Sequence, residues 1–190
     1  TAPGLKGSPV LFGSTALPAA PTSLTKTSGD NQSGSVSSPL ADSVVVRLLD
    51  ASGNGVPGRN VTFAIATGGG VVSPTSATTD TAGRAAARWT LGPLAGGNSL
   101  IASSSGCPVT FPAAGTPAAA TTLLSNSSTS QNGTAGLPAG APPSVRVTDA
   151  NGNPVAGVSI SFAVSGGGGS ILPVTPIATN ASGIATLTQW

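Results

Sequence analysis

Few side chains in this sequence could carry out acid–base or nucleophilic chemistry. Its 190 residues include no His, a single Cys at position 107 and five acidic residues, all of them Asp. These counts exclude a Ser-His or Cys-His catalytic pair and a His/Cys zinc site. The spacing of Ser23 and Lys26 matches a pair used by some acyl-transfer enzymes, which need both side chains on one face of a helix. The surrounding residues instead predict a strand that points the two side chains to opposite faces, so we expect no enzyme activity and no cofactor.

Two similar loops, 50–58 and 149–157, resemble calcium-binding loops because each begins with Asp and continues with Asn and Gly. Calcium prefers six to eight oxygen ligands, several of them carboxylates. Each loop has one Asp and no following Glu. We therefore predict that both loops are tight connections between strands, built from Asn and Gly turns, and that they hold no metal.

The lone thiol, Cys107, has no second Cys with which to form an intrachain disulfide. The sequence predicts a buried or inert thiol, and a disulfide between subunits is the alternative.

The elements that position these residues follow from the composition, which is poor in charge and rich in turn formers. Charged residues make up 6% of the chain, the formal net charge is +2, and there are 27 Gly and 17 Pro. Such sparse charge predicts no basic face for nucleic acid, and the apolar runs are too short for a membrane span. Short Val- and Thr-rich runs between turn residues predict an all-β protein.

The sequence contains an internal repeat. Residues 7–12 (Gly-Ser-Pro-Val-Leu-Phe) recur 99 positions later as residues 106–111 (Gly-Cys-Pro-Val-Thr-Phe), and the same offset relates Asp50 to Asp149 and Phe63 to Phe162. A unit of about a hundred residues is the usual size of a small β-sandwich. Alternation predicts strands at 22–26, 43–49, 60–66, 84–91, 98–103 and 108–112 in the first copy, and at 144–148, 158–164 and 184–190 in the second.

Several segments together match a known family. They are Val44-Val-Val-Arg-Leu-Leu-Asp50, Gly53-Asn-Gly-Val-Pro-Gly58 and Thr79-Asp-Thr-Ala-Gly83, with Val145-Arg-Val-Thr-Asp149 and Gly152-Asn-Pro-Val-Ala-Gly157 in the second copy. In combination they resemble the bacterial immunoglobulin-like (Ig-like) domain of the invasin/intimin type, bacterial Ig-like group 1. The resemblance implies antiparallel sandwiches on the bacterial cell surface, usually in tandem arrays that form adhesin stalks, with no catalytic residues.

We therefore predict two tandem antiparallel Ig-like β-sandwiches, the second missing its terminal strands. The predicted boundaries are an N-terminal extension (1–18), domain 1 (19–116) and domain 2 (117–190). Domain 2 lacks a counterpart of residues 91–113, whereas residues 6–15 resemble the last strand of such a unit. An unfinished sheet edge is a template for pairing with another chain.

These features predict assembly by donor-strand complementation. Residues 6–15 of one subunit would complete domain 2 of the next and form an extracellular, pilus-like homopolymer. The predicted subunit-interface residues are Val10, Leu11, Phe12 and Trp190. The alternative is a stalk segment of a tandem-repeat surface adhesin that displays a binding tip, in which the N-terminal strand belongs to a preceding unit of the same polypeptide.

Glycans are a further predicted partner. Domain 2 contains only two charged residues, Arg146 and Asp149, and a nearly neutral surface needs screening by assembly or by sugars. The Asn-x-Ser/Thr pattern occurs at Asn31, Asn60, Asn126, Asn132 and Asn180, which are the candidate glycosylation sites.

Overall fold

The computed structural model describes residues 12–13 and 17–190, and the regular structure in these residues consists of strands without a helix. The all-β prediction is confirmed. The strands are β1 (Pro21–Ser28), β2 (Gln32–Ser35), β3 (Val44–Asp50), β4 (Asn60–Thr67), β5 (Gly70–Ser73), β6 (Ser76–Thr78), β7 (Arg84–Leu91), β8 (Gly96–Ser104), β9 (Cys107–Thr116), β10 (Thr122–Ser125), β11 (Ser144–Thr148), β12 (Ser159–Ile160), β13 (Ile177–Ala178) and β14 (Ile184–Thr186).

Strands β1–β9 lie within the predicted domain 1 and form two sheets. The first has the order β1-β3-β7-β5 and the second the order β2-β9-β8-β4-β6. Strand β3 alternates between fully and partly buried positions, and β7 alternates between buried and mainly exposed ones. Their inward side chains pack with Phe63, Leu100 and Phe111 of the other sheet into one core around Trp89. This period-two burial is what the alternation in the sequence predicts.

One strand pair departs from the antiparallel prediction. Strand β2 pairs with β9 in parallel, with Gln32 opposite Ala113 and Ser35 opposite Thr116. The chain enters β2 after crossing from the first sheet to the second, and Gly29 and Asn31 have positive φ in this crossing. Because this crossing takes the place of a tight hairpin, β2 pairs with β9, which is distant in sequence and runs in the same direction.

Strands β10–β14 lie within the predicted domain 2 and form the sheets β10-β11-β14 and β12-β13. Here the predicted strands 158–164 and 184–190 are too long, because β12 ends at Ile160 and β14 at Thr186. In domain 1, β4 is paired on both sides, with β6 and β8. In domain 2, β12 pairs only with β13, so the backbone beyond Ile160 has no second strand to extend the ladder.

The two domains differ in how much core they bury. Among the described residues, the buried hydrophobic side chains of domain 2 are Val147, Ala185 and Leu187, whereas domain 1 buries Trp89, Phe111 and many others. Within residues 117–190, all of which the structure describes, no strand corresponds to β8 or β9. The residue boundaries of the domains remain predictions.

Candidate functional site

The loop that follows β11 is organised around one carboxylate. Asp149 Oδ1 accepts hydrogen bonds from the backbone N–H groups of Asn151 and Asn153, both at 2.9 Å. Its Oδ2 accepts from the Asn153 side-chain amide at 2.9 Å and from the Ala118 N–H at 3.0 Å. Both oxygens therefore face N–H donors. This is the Asn and Gly turn that the sequence predicts rather than a cage of oxygen ligands.

These hydrogen bonds control the ionisation of Asp149. Burial raises the pKa of its carboxyl, but the hydrogen bonds from Asn153, Ala118 and Asn151 together outweigh burial and hold the pKa below its ordinary value. The side chain thus stays ionised at neutral pH and remains an acceptor for the N–H of Ala118, which lies in the linker (117–121) between β9 and β10.

Asn153 connects this loop to domain 1. Its side chain is 6% exposed, its Oδ1 accepts a hydrogen bond from the Ala95 N–H at 2.9 Å, and its Nδ2 donates to the Pro93 carbonyl oxygen at 2.8 Å. Pro93 and Ala95 belong to the β7–β8 loop (92–95) of domain 1. One amide therefore bonds the turn of domain 2 and the backbone of domain 1 at the same time. We call the contacts of Asn153 and Asp149 with this loop and with the linker the junction.

Each of the two surfaces that meet at the junction is also held by contacts within its own domain. Gly92 begins the β7–β8 loop and packs so closely against the 68–69 loop that an added Cβ would overlap the Gly68 carbonyl oxygen. On the other side, the linker is bonded to domain 2 through the Ala118 N–H and through the Thr121 N–H, which donates to the Thr148 carbonyl oxygen at 3.0 Å. The junction therefore joins two backbone segments that are each bonded or packed within their own domain.

Domain 1 contains the same turn without its partner. Asp50 accepts from Ser52, Asn54 and Ala19 at 2.9 to 3.1 Å, and the Ala19 N–H, first among these donors, lowers the pKa of Asp50 to about 2. Asn54 occupies the place of Asn153 but is exposed. Within the part of the chain that the structure describes, its Oδ1 accepts no hydrogen bond.

The second candidate surface is the open face of domain 2, defined by a cavity of about 240 Å³ lined by Pro143, Phe162, Val164, Ile171, Leu187 and Trp190, together with other residues. The counterpart of Phe162 in domain 1 is Phe63, which is 2% exposed, whereas Phe162 is partly exposed. Trp190 is 42% exposed, and the strand register makes its neighbour Gln189, not Trp190, the equivalent of the buried Trp89. Phe162, whose equivalent β8 and β9 help to enclose in domain 1, thus reaches solvent in domain 2.

The structure places the predicted interface residues unequally. Trp190 lies at the open face, and Phe12 is 94% exposed. Val10 and Leu11 lie outside the described residues, as does most of the predicted donor strand 6–15. The structure therefore brings one predicted interface residue to the open face, and the donor strand stays a prediction.

The other predicted residues lie apart from both surfaces or at exposed positions. All five candidate glycosylation residues, from Asn31 to Asn180, are exposed. Cys107 is partly buried, and its Sγ lies 3.4 Å from the Thr22 carbonyl oxygen. Lys26 forms an ion pair with Asp30 at 2.8 Å. In the described residues, no helix is long and apolar enough to cross a membrane.

Comparison with known proteins identifies the fold. No family model and no curated relative matches the chain. Among solved structures, FdeC, an adhesin of Escherichia coli, aligns with a TM-score of 0.53 and 21% identity over 91% of this chain and 58% of that one. Invasin, a bacterial integrin-binding protein, aligns with a TM-score of 0.44 and 20% identity over 88% of this chain and 33% of that one.

The Yersinia pseudotuberculosis adhesin InvE aligns with a TM-score of 0.42 and 21% identity over 87% of this chain and 49% of that one. The chain spans little more than half of the FdeC structure. At this level of identity the FdeC alignment establishes the fold alone, and it agrees with the predicted β-sandwich architecture.

Proposed function

We propose that this chain is a structural segment of an extracellular bacterial surface stalk, in which successive Ig-like units are held end to end. The observation that carries the proposal is the junction. Asn153 bonds Pro93 and Ala95 across the two domains, and Asp149 bonds the linker at Ala118. The fold shared with the FdeC adhesin supports the same assignment.

A stalk must keep its units aligned so that its tip stays away from the cell. Five residues, 117–121, separate β9 from β10, and they could span at most about 18 Å if fully extended. Two of their N–H groups are bonded to domain 2, so little of this length is free to bend. The bonds from Asn153 then restrict rotation of one domain against the other. The chain transmits alignment through backbone contacts and needs no enzymatic group.

Two measurements test this function. In ¹⁵N relaxation of the full chain, we expect domains 1 and 2 to tumble with one rotational correlation time. Antibodies against the chain should label the outside of intact cells that produce it. Independent tumbling of the domains, or labelling confined to the cell interior, would contradict the proposal.

The open face of domain 2 favours a second candidate, a homopolymeric filament assembled by donor-strand complementation. Phe162 and Trp190 line this face, and residues 6–15 with Val10, Leu11 and Phe12 resemble the strand that covers the equivalent face of domain 1. In domain 1, however, the cover consists of two strands, because β9 pairs with β8 and β8 pairs with β4. A single donor strand would leave the partner of β12 missing, so a complete cover requires a β8–β9-type hairpin.

Deletion of residues 1–15 tests the filament. If residues 6–15 complete a neighbour, the truncated chain should remain monomeric in electron micrographs and size-exclusion chromatography at concentrations where the full chain polymerises. Filaments that persist after the deletion would eliminate the donor strand. A full chain that never polymerises would leave the stalk segment as the function.

Glycosylation belongs to the same proposal, since the five candidate Asn side chains are exposed and domain 2 has few charges. We expect the chain isolated from its source to exceed the mass of the bare sequence, 17.9 kDa, by whole sugar residues. A mass equal to the bare sequence would remove glycans from the proposed partners.

A further inference from the structure

The entry to domain 1 repeats the entry to domain 2. Residues Pro18-Ala-Ala20 correspond to Pro117-Ala-Ala119 at the offset of 99 positions. The Ala19 N–H donates to Asp50 Oδ2 at 3.0 Å, as the Ala118 N–H does to Asp149 Oδ2. The linker and its carboxylate are therefore arranged in the same way at both places.

The turn behind this linker is also the same. Asn54 donates its backbone N–H to Asp50 Oδ1 at 2.9 Å and its side-chain amide to Asp50 Oδ2 at 3.1 Å. The equivalent bonds of Asn153 are both 2.9 Å. The Asp50 bonds hold the Asn54 amide in the orientation in which Asn153 contacts its neighbour. The two Asn residues differ in that Asn153 is buried by the loop of domain 1 and Asn54 is exposed.

We propose that Asn54 is the docking site for a preceding Ig-like unit of the same type, and this inference rests on the proposed stalk function. The occupant is the β7–β8 loop of that unit, the counterpart of residues 92–95. Its backbone carbonyl equivalent to Pro93 accepts from Asn54 Nδ2, and its backbone N–H equivalent to Ala95 donates to Asn54 Oδ1. The sequence of residues 7–18, which resembles the end of a unit, identifies this kind of neighbour.

Recognition through backbone groups has a consequence for specificity. A backbone carbonyl and an N–H two residues apart are present in every such loop. The amide of Asn54 therefore recognises the backbone conformation of the loop rather than the identity of its side chains. Asp at position 54 would retain an acceptor but lose the donor, and it would place a second carboxylate beside Asp50. Asn is therefore the side chain that can bond the Asp turn and the incoming loop together.

A three-unit chain tests the proposal. A copy of residues 19–105 is placed directly before Gly7 of the full chain, so that residues 7–18 provide the last strand of the added unit. Backbone amide exchange is then followed by NMR with segmental isotope labelling. We expect the N–H of the added residue equivalent to Ala95 to be protected, as the N–H of Ala95 is protected by Asn153.

Two matched substitutions separate the docking sites. Asn54→Ala should speed exchange of the added N–H about tenfold and leave Ala95 unchanged, and Asn153→Ala should do the reverse. The same Asn54→Ala change in the 190-residue chain measures the loss of the Asp50 bond alone.

The outcomes distinguish this inference from the proposed function. An added loop that exchanges freely, while Ala95 stays protected, would overturn docking at Asn54 and leave the stalk function standing. Free exchange at Ala95 itself would overturn the junction and with it the proposed function. Protection of the added loop that survives Asn54→Ala unchanged would show that docking does not use Asn54.

Discussion

Replacing Asn153 by Ala is the most direct perturbation of the contact that holds the two domains together. The change removes the acceptor for the Ala95 N–H, the donor to the Pro93 carbonyl oxygen and the donor to Asp149. The first two bonds cross between domains, and the third lies within domain 2. Asn54→Ala is the matched control, because it removes only the equivalent of the third bond.

The expected size of the effect follows from these bonds. A neutral hydrogen bond contributes about 0.5–1.5 kcal/mol net, so the two interdomain bonds stabilise the docked arrangement by about 1–3 kcal/mol. Since about 1.4 kcal/mol is a factor of ten, their loss should increase the undocked population roughly 5- to 150-fold. The third bond, made to a carboxylate, contributes about 1.5–3 kcal/mol to its own domain, and the loss of such a bond is common to both variants.

NMR relaxation separates the interdomain effect from the local one. In the unsubstituted chain and in Asn54→Ala, we expect domains 1 and 2 to share one rotational correlation time. In Asn153→Ala the two domains should acquire different, shorter correlation times while each keeps its own chemical-shift dispersion. If Asn153→Ala and Asn54→Ala leave the interdomain motion equally unchanged, the two interdomain bonds do not hold the domains and the reasoning fails.

Three further predictions concern the loop and core of domain 1 that support the junction and the equivalent Asp50 turn. Gly92→Ala should destabilise domain 1 by about 1–3 kcal/mol in urea and loosen the junction, because its Cβ would overlap the Gly68 carbonyl, whereas Gly97→Ala meets open space and should preserve the junction. Phe111→Ala should cost domain 1 about 3–5 kcal/mol because Phe111 is 0% exposed, and Phe12→Ala, at a site 94% exposed, should leave the urea midpoint unchanged. The folded pKa of Asp50 is about 2, below the unfolded value of 3.8, so the ionised side chain stabilises the folded state fully above about pH 4, and this stabilisation is lost as the pH falls towards 2. Asp50→Asn should therefore remove that part of the acid-induced loss of stability measured by urea titration. An unchanged pH profile of stability would contradict the role of the four donors to Asp50.

The sequence predicts the framework of the molecule better than its contacts. The strand at 144–148 coincides with β11, and the turns at Asp50 and Asp149 form as expected, because alternation and Asn-Gly chemistry are local signals. Strand β2, with the sequence Gln-Ser-Gly-Ser, carries no such signal, since it is specified by its pairing with β9. Strand β12 is shorter than its pattern suggests because β8, which pairs along the length of β4 in domain 1, has no counterpart beside β12 in domain 2.

The junction lies beyond sequence reasoning for a different reason. Asn54 and Asn153 both follow Gly in nearly identical turns, so residue type and spacing do not distinguish the docked amide from the exposed one. The two amides differ because the loop at 92–95 packs beside Asn153, where the Pro93 carbonyl oxygen and the Ala95 N–H form hydrogen bonds with its side chain. Only the internal repeat offers a signal, because it places the same Asp and Asn at equivalent positions of both turns.

Closure of a sandwich and docking of the next unit depend on the same segment. In domain 1, residues 92–95 form the β7–β8 loop and lead directly into the β8–β9 hairpin. In this hairpin β8 pairs with β4, and β9 carries the buried Phe111. The loop that Asn153 contacts is thus held in place by Gly92 at one end and by the closing hairpin at the other. In domain 1, the position of the docking loop therefore depends in part on the hairpin that completes the sheet. Any partner that closes the open face of domain 2 with such a hairpin would therefore also create the surface on which an Asn of a further unit could dock.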